Sequence, residues 1–508
     1  MARVNYRAMS GETLHWSNIN PKVRNMIMLG LGLGMLVACL DATIVGPSLG
    51  TITKDLGGGD YTWIITGYML TETAMIPIAG KLSDKYGRKP LFLIGMAAFV
   101  IGSTLCGFAG SITELTIFRA IQGIGAGTVI PVTTAAVADL YAPTQRGKIQ
   151  GMLGALFAVA MAVGPLLGGS ITESIGWRYI FMINIPIGIV ALAFTAKQFP
   201  SQDYIKTKTD YIGMALLTGF LFVIILLFKM AGASFAWLSI ETMLMIAFAA
   251  GLLLIFMFNE KKVKDPVLNP SLFKSRLHVN CFFAFLIYGM ALMGTMTFLP
   301  MFMQNVVGVS VSDSGAMLMP FVFGAAATSM TSGFMLKKTG YTPWLIVGPI
   351  ITFIGLALMS TLGTESTELI AMVYMFITGL GMGCFLSIVM IAAQNGAKKE
   401  EMGMVTSSVN LFRAIGSTVA VGIFTAVANM RINTELNAAH LDPLIYGDLP
   451  HNIEVIEYLD VYPAIADLIR DVFSSGVTLI FLIAGILSLT ILVTSRYIKG
   501  KPQDEDIE

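Results

Sequence analysis

The chain has 508 residues and a formal net charge of +1, with 55% of residues hydrophobic and 12% charged. Its mean hydropathy is +0.75. So few charges cannot clothe a water-soluble domain of this size, and so balanced a charge gives nucleic acid nothing to bind. The four cysteines (Cys39, Cys106, Cys281, Cys384) stand singly inside apolar runs. None has the spacing of a metal site, and they read as small apolar helix residues rather than a disulfide framework.

Residues 1–24 are polar, carry Arg3, Arg7, Lys22 and Arg24, and read as a cytoplasmic N-terminal segment. The apolar run at 25–47, interrupted by Asp41, has neither the short core nor the small-residue cleavage site of a signal peptide, so it reads as a retained first helix. Spanning a hydrocarbon core of about 30 Å takes roughly 20 residues. On that rule further spanning helices fall near 61–82, 90–109, 113–139, 148–172, 176–198, 211–230, 239–258, 278–300, 313–336, 342–362, 368–393, 404–429 and 476–496, fourteen in all.

The basic residues check that count. With the N-terminus in the cytoplasm, 25 of the 32 Lys and Arg fall in cytoplasmic segments or helix ends, and five (Lys54, Arg178, Lys229, Arg431, Arg470) fall outside. Arg119 and Arg413 lie within helices. This bias places both termini on the cytoplasmic side of a cell membrane.

Repeats group the helices. The segment Gly80–Pro90, GKLSDKYGRKP, reads as a tight polar loop, and its Gly80/Gly87 spacing returns 253 residues later as Gly333/Gly340. Gly123-Ile-Gly125-Ala-Gly127 returns as Gly379-Leu-Gly381-Met-Gly383, offset by 256. The expected fold is therefore an all-α integral membrane protein of two related six-helix bundles, 25–198 and 278–496, with two helices inserted in 199–277 and a cytoplasmic tail at 497–508. The copies differ chemically, Asp84 answering to Lys337 and Arg119 to Met375.

With these motifs in place, the chain resembles the fourteen-helix drug–proton antiporters of the major facilitator superfamily. GKLSDKYGRKP resembles the superfamily's loop motif between helices 2 and 3, and Arg119-Ala-Ile-Gln122-Gly123 its helix 4 arginine motif. Gly154 with Gly164-Pro165-Leu-Leu-Gly168-Gly169 resembles the helix 5 antiporter motif. Leu40-Asp41-Ala-Thr43 and Gly176-Trp177-Arg178 through Asn184-Ile-Pro186 resemble signatures of the fourteen-helix branch. Val45-Gly46-Pro47-Ser48 departs from the family pattern, which continues with Asn and small apolar residues. The resemblance implies that Asp84 and Arg88 make charge contacts joining the bundles in the outward-facing state, and that Gly164, Pro165 and Gly168 act in gating. Read physically, Gly164 and Gly168 share a helix face that lets a neighbouring backbone approach, and Pro165 bends helix 5.

Charges at membrane depth are expensive and need a partner or a proton. Asp41 lies about 24 Å along helix 1 and Arg119 roughly 9 Å into helix 4 from the outer side at about 1.5 Å per residue, so the two depths agree within a turn. An Asp41–Arg119 bridge follows, and Asp41 and Glu72 are expected to line the N-terminal side of the cavity, at least one of them exchanging a proton for substrate. The alternative is a static ion pair. Tyr68, one turn from Glu72, and Gln122 are further candidates. Arg413, three residues from Asn410, reads as neutralising an acid or capping a carbonyl; Asp313, after Ser310 and Ser312, reads as a helix cap. Asp139 and Arg146, flanking Pro143, read as a structural pair.

Residues 430–474 hold eight acids against Arg431 and Arg470. Apolar residues recur at helical spacing on either side of Pro463, which predicts two short amphipathic helices over the outer mouth, with a plain solvated linker, a lid and a docking surface for an envelope partner as the open roles. No phosphate-loop motif is present, so the expected activity is secondary: export of lipophilic, cationic compounds in exchange for protons, with no cofactor and no enzyme chemistry. Export of an endogenous lipid or metabolite, or a non-transporting receptor, are the alternatives.

Overall fold

The computed structural model describes residues 19–57, 62–200, 210–230, 235, 238–263, 266–398, 401–441, 443–446, 449–450, 453–458 and 461–500. The first 18 residues, the 201–209 stretch and the last eight lie outside these, as do Asp442, Asp448 and Asp460. The N-terminal half contains α1 (Pro21–Ile44), α2 (Leu49–Asp55), α3 (Thr62–Tyr86), α4 (Arg88–Gly107), α5 (Ile112–Leu140), α6 (Pro143–Ser174), α7 (Tyr179–Met182) and α8 (Asn184–Gln198). An inserted hairpin, α9 (Tyr211–Met230) and α10 (Ile240–Lys262), follows. The C-terminal half contains α11 (Arg276–Phe302), α12 (Val311–Ala316), α13 (Met319–Thr339), α14 (Thr342–Met359), α15 (Glu368–Asn395), α16 (Met402–Ala438), α17 (Pro443–Tyr446) and α18 (Ala466–Leu489).

Among the described residues thirteen spans are long and apolar enough to cross a membrane by length and composition. The fourteenth predicted span is α3, which Glu72, Lys81, Asp84 and Lys85 make more polar than the rest. The fourteen-helix architecture therefore stands. Helix starts follow local chemistry. Ser111 caps α5 by accepting from the Glu114 N–H, Ser239 caps α10 at Thr242, and Ser275 caps α11 at His278. Pro143 occupies the first position of α6, where its missing N–H costs nothing.

Each half has its own apolar core. One runs from Ile19 to Phe199, the other from Leu272 to Ile498 with Ala158 of α6 joining it from the first half. The two glycine triplets do the same job in each. Gly123 and Gly127 press on the α3 backbone at Tyr68 and Glu72, while Gly125 presses on α4 at Phe99. In the second half Gly379 and Gly383 press on α13 at Phe321 and Ala325, and Gly381 presses on α14 at Thr352. A Cβ at any of the six would overlap its neighbour, so the sequence repeat is a packing repeat.

Two expectations need correction. Gly80–Pro90 is not a loop: α3 runs on to Tyr86 and α4 begins at Arg88. The whole reversal is Gly87, at φ +89°, and Gly340 repeats it at φ +74° between α13 and α14. The 430–474 segment is not a pair of separate amphipathic helices either. Its first part extends α16 to Ala438, Ile453–Tyr458 forms a 3₁₀ turn, and the apolar stripe after Pro463 belongs to the opening of α18. That stripe continues a spanning face, burying Ile469, Val472 and Phe473 in the C-terminal core. Tyr446, Tyr458 and Tyr462 pack ring to ring above it.

Candidate functional site

Asp41 near the end of α1 is fully buried, and so is Arg119 of α5. The Arg119 guanidinium donates to Asp41 Oδ2 at 2.5 Å, forming the bridge expected between helices 1 and 4. Asp41 Oδ1 accepts from Gln122 Nε2 at 2.8 Å and from Asn184 Nδ2 at 2.7 Å. Asn184, the first residue of α8, also donates to Ser103 Oγ of α4 at 3.0 Å, which in turn donates to the Phe181 carbonyl at 2.9 Å. Three helices, α1, α5 and α8, thus meet at one carboxylate, and α4 joins them through Ser103.

Aromatic rings close the rest of the shell. The Arg119 guanidinium lies 4.0 Å above the Tyr68 ring, and Tyr68 donates its hydroxyl to the Ala38 carbonyl of α1 at 3.2 Å. Bringing an unpaired charge to membrane depth costs about 2.5–3.5 kcal/mol on insertion scales, and this cage of donors offsets it. The residues expected from sequence, Asp41, Arg119, Gln122 and Tyr68, do come together. Asn184 had no role there beyond a family signature, and nothing in the sequence pointed to Ser103.

Glu72 is half-buried on α3, one turn from Tyr68, and is not hydrogen-bonded into this network. It lies within electrostatic reach of Arg413 on α16, across the boundary between the halves. Arg413 sets its guanidinium 5.0 Å over the Phe157 ring of α6. It lines a small interbundle cavity of about 50 Å³, together with Asn410, Thr134, Gln150, Phe157 and Phe285. Arg413 is the one charged residue among the described residues of that lining; neither Asp41 nor Glu72 belongs to it.

On the side that the basic residues assign to the cytoplasm, hereafter the inner end, the two halves are joined. Asp84 at the end of α3 accepts the backbone N–H groups of Gly403 and Met404, the opening turn of α16, at 2.9 and 2.8 Å. A carboxylate at a helix N-terminus meets unpaired donors and the positive end of the dipole. Arg88 holds Asp84 at 2.7 Å and Asp139 at 2.9 Å. Asp139 is therefore the partner of Arg88, not of Arg146. Arg146 instead donates to Asn395 of α15 at 2.7 Å and to the carbonyls of Ala138 and Tyr141. The structure reassigns both members of that expected pair.

The repeated glycines sit at the same seams. A Cβ on Gly80 would strike Ser407 of α16, and one on Gly333 would strike Gly147 of α6. Gly164 and Gly168 admit the α1 backbone at Leu40 and Ile44, as their shared face requires, and Pro165 lies inside α6. Asp313 is exposed and is not itself the cap of α12. Ser310 is, accepting from the Asp313 N–H at 3.1 Å and donating to its carboxylate at 2.6 Å. The four cysteines are buried and free, and no metal-holding cluster occurs among the described residues.

The chain is similar to known proteins. Residues 31–421 match the Major Facilitator Superfamily. The chain is 37% identical over 428 residues to Multidrug transporter protein MdtP of Bacillus subtilis, covering 83% of this chain and 79% of that one. It is 34% identical over 469 residues to Multidrug resistance protein 3 of the same organism, covering 90% and 92%. Among solved structures, the proton:xylose symporter XylE superposes with a TM-score of 0.59 at 14% identity, over 96% of this chain and 98% of that one. The human organic anion transporter MFSD10 gives 0.60 at 15% identity, over 92% and 100%. At such identities these two speak for the fold alone. On the match across most of its length, on two relatives above 30% identity and on the duplicated bundles, the chain belongs to the major facilitator superfamily, a family of transporters and not of enzymes.

Proposed function

We propose that the protein exports lipophilic small molecules, cationic ones among them, across the cell membrane in exchange for protons. The observation that supports coupling best is the sealed Asp41 cluster. Its single carboxylate is matched by Arg119 and two amides, all on spanning helices. A proton on Asp41 removes the reason for Arg119 to stay, so occupancy by a proton and the packing of α1 against α5 are linked. Glu72, outside the cage and facing the other half, is the group whose charge a cationic substrate would meet. Alternating access rocks one bundle against the other, breaking the inner contacts at Asp84 and the Gly147–Gly333 seam. One proton charge crossing about 100 mV releases about 2.3 kcal/mol, which a single exchange can use.

A second reading, export of an endogenous lipid or metabolite bearing a negative group, is favoured by Arg413, the charged residue of the interbundle cavity. Purified protein in liposomes with an imposed proton gradient separates the two. Uptake of a permanent lipophilic cation, with proton release on its addition, supports drug–proton exchange. Transport of anionic amphiphiles alone supports the second reading. No proton movement with any compound would count against both and leave a receptor.

A further inference from the structure

The inserted hairpin carries a buried acidic pair that the transport reading does not use. Asp210, directly before α9, accepts the Gly213 N–H on Oδ1 at 2.9 Å and the Asn259 side-chain amide on Oδ2 at 2.6 Å. Glu260, in the last turn of α10, accepts the Leu268 N–H on Oε2 at 3.0 Å. Both residues are more than nine-tenths buried, Glu260 at 4% exposure and Asp210 at 7%. The other Glu260 oxygen, Oε1, is buried with no donor. A Cβ on Gly213 would collide with Asp210 Oδ2 and come within 2.7 Å of Glu260 Oε1. Both carboxylates therefore lie against the same bare glycine, Asp210 through Oδ2 and Glu260 through its orphaned oxygen.

The nearby cation is Lys81, itself buried. From α3, Lys81 lies within electrostatic reach of Glu260. On α10 the neighbouring Lys261 and Lys262 are exposed. From α16 the packed side chain is Leu411, and Glu401 near its start is already held by Asn269 at 2.7 Å. Lys208, Lys264 and Asp265 flank the site in sequence and lie outside the described residues. Two adjacent ionised carboxylates repel, and a buried acceptor without a donor is costly. A proton placed between them removes the repulsion and supplies the missing donor in one step.

We infer that Asp210 and Glu260 form a proton-binding site, separate from Asp41, that holds one shared proton while the inserted hairpin is docked on α3 and α16. The docking is explicit: Met214, Leu217 and Leu221 of α9 pack with Ile76 of α3 and Leu411 of α16. These are the two helices that Asp84 joins at Gly403 and Met404. The segment after α10 is tied to the same place through Asn269, whose N–H reaches Met404 Sδ at 3.2 Å. Loss of the shared proton sets like charges against each other at the base of the hairpin, loosens its docking, and favours opening of the inner end. This site goes beyond the export reading and does not depend on which compound is carried.

Infrared difference spectra of the full chain in lipid nanodiscs, taken during a pH titration, test it. The wild type should show a protonated-carboxyl band that Glu260→Gln and Asp210→Asn each remove and Asp84→Asn retains. Both substitutions keep side-chain size, and two variants guard against misfolding of either one. In parallel, Ser407→Cys in a background lacking the native four cysteines reports the inner seam. Its labelling should accelerate by about tenfold as the pair deprotonates, and Glu260→Gln should abolish that pH dependence. Bands and labelling unchanged in both variants would overturn the site. So would a metal cation that displaces the band in the wild type without any change of pH.

Discussion

At the scale of single residues, Asp41 and Glu72 are two acids of one bundle with opposite surroundings. Asp41 has both oxygens engaged by Arg119, Gln122 and Asn184; Glu72 stands outside that cage, within electrostatic reach of both Arg413 and Arg119. Asp41→Asn should abolish proton-coupled export. Because it leaves Arg119 buried without a counter-charge, it should also cost about 3–5 kcal/mol of stability. Glu72→Gln should weaken transport of cations more than of neutral compounds and leave the melting temperature close to wild type. Paired transport and thermal-melting measurements check both. A double mutant that still concentrates a cation under an imposed proton gradient would remove the coupling role from these acids. The Asp41–Arg119 pair was legible because two rare charges at matching depth within apolar runs need each other. Asn184 and Ser103 were not, since uncharged polar residues at helix ends are common and carry no periodic signal.

At the scale of elements, the inner end is held by unequal halves of one repeat. Gly80 and Gly333 both let a neighbouring helix approach, yet only the first copy carries an acid, Asp84, at the N-terminus of the facing helix. Asp84→Asn keeps the shape but weakens two charge-assisted bonds, so turnover should fall several-fold while substrate affinity in equilibrium binding stays within about twofold. Lys337→Gln should leave both unchanged. Equal loss of binding and transport in Asp84→Asn would point to folding instead. Helix positions came easily from hydropathy, whereas helix ends did not. Gly87 and the stripe after Pro463 show why: charge near a helix end looks like a loop, and an amphipathic opening turn looks like a separate helix. The Asp139–Arg146 expectation failed for a related reason. Nearness in sequence suggested a pair, but Arg88, 51 residues away, was nearer in space.

At the scale of the whole molecule, fourteen helices, two cores and one inserted hairpin follow from length, repetition and charge bias together. The orientation is testable without transport. Single cysteines introduced as Thr207→Cys, outside the described residues, and Asn437→Cys, near the end of α16, should react with an impermeant reagent from opposite faces of oriented vesicles. Reaction of both from one face would break the fourteen-helix topology. Function was less legible than fold. The motifs name a chemistry of charges at depth, but the side chains that line the interbundle cavity come from helices far apart in sequence, such as those of Phe157 and Arg413.

The hairpin's position limits the routes by which cargo arrives. Two bundles that rock against each other expose two lateral seams to lipid, one between α3 and α16 and one between α6 and α13. The first is occupied on its outside by α9, whose side chains share an apolar core with α3 and α16; α10 stands beyond it with most of its surface turned outward. Among the described residues the inserted hairpin covers the α3–α16 flank and not the α6–α13 flank, so a rocking motion would leave the latter the freer entry for a membrane-dissolved solute. Crowding that flank, by a tightly held lipid or a bulky reagent, would starve the transporter of membrane-dissolved cargo while leaving water-borne cargo free to arrive.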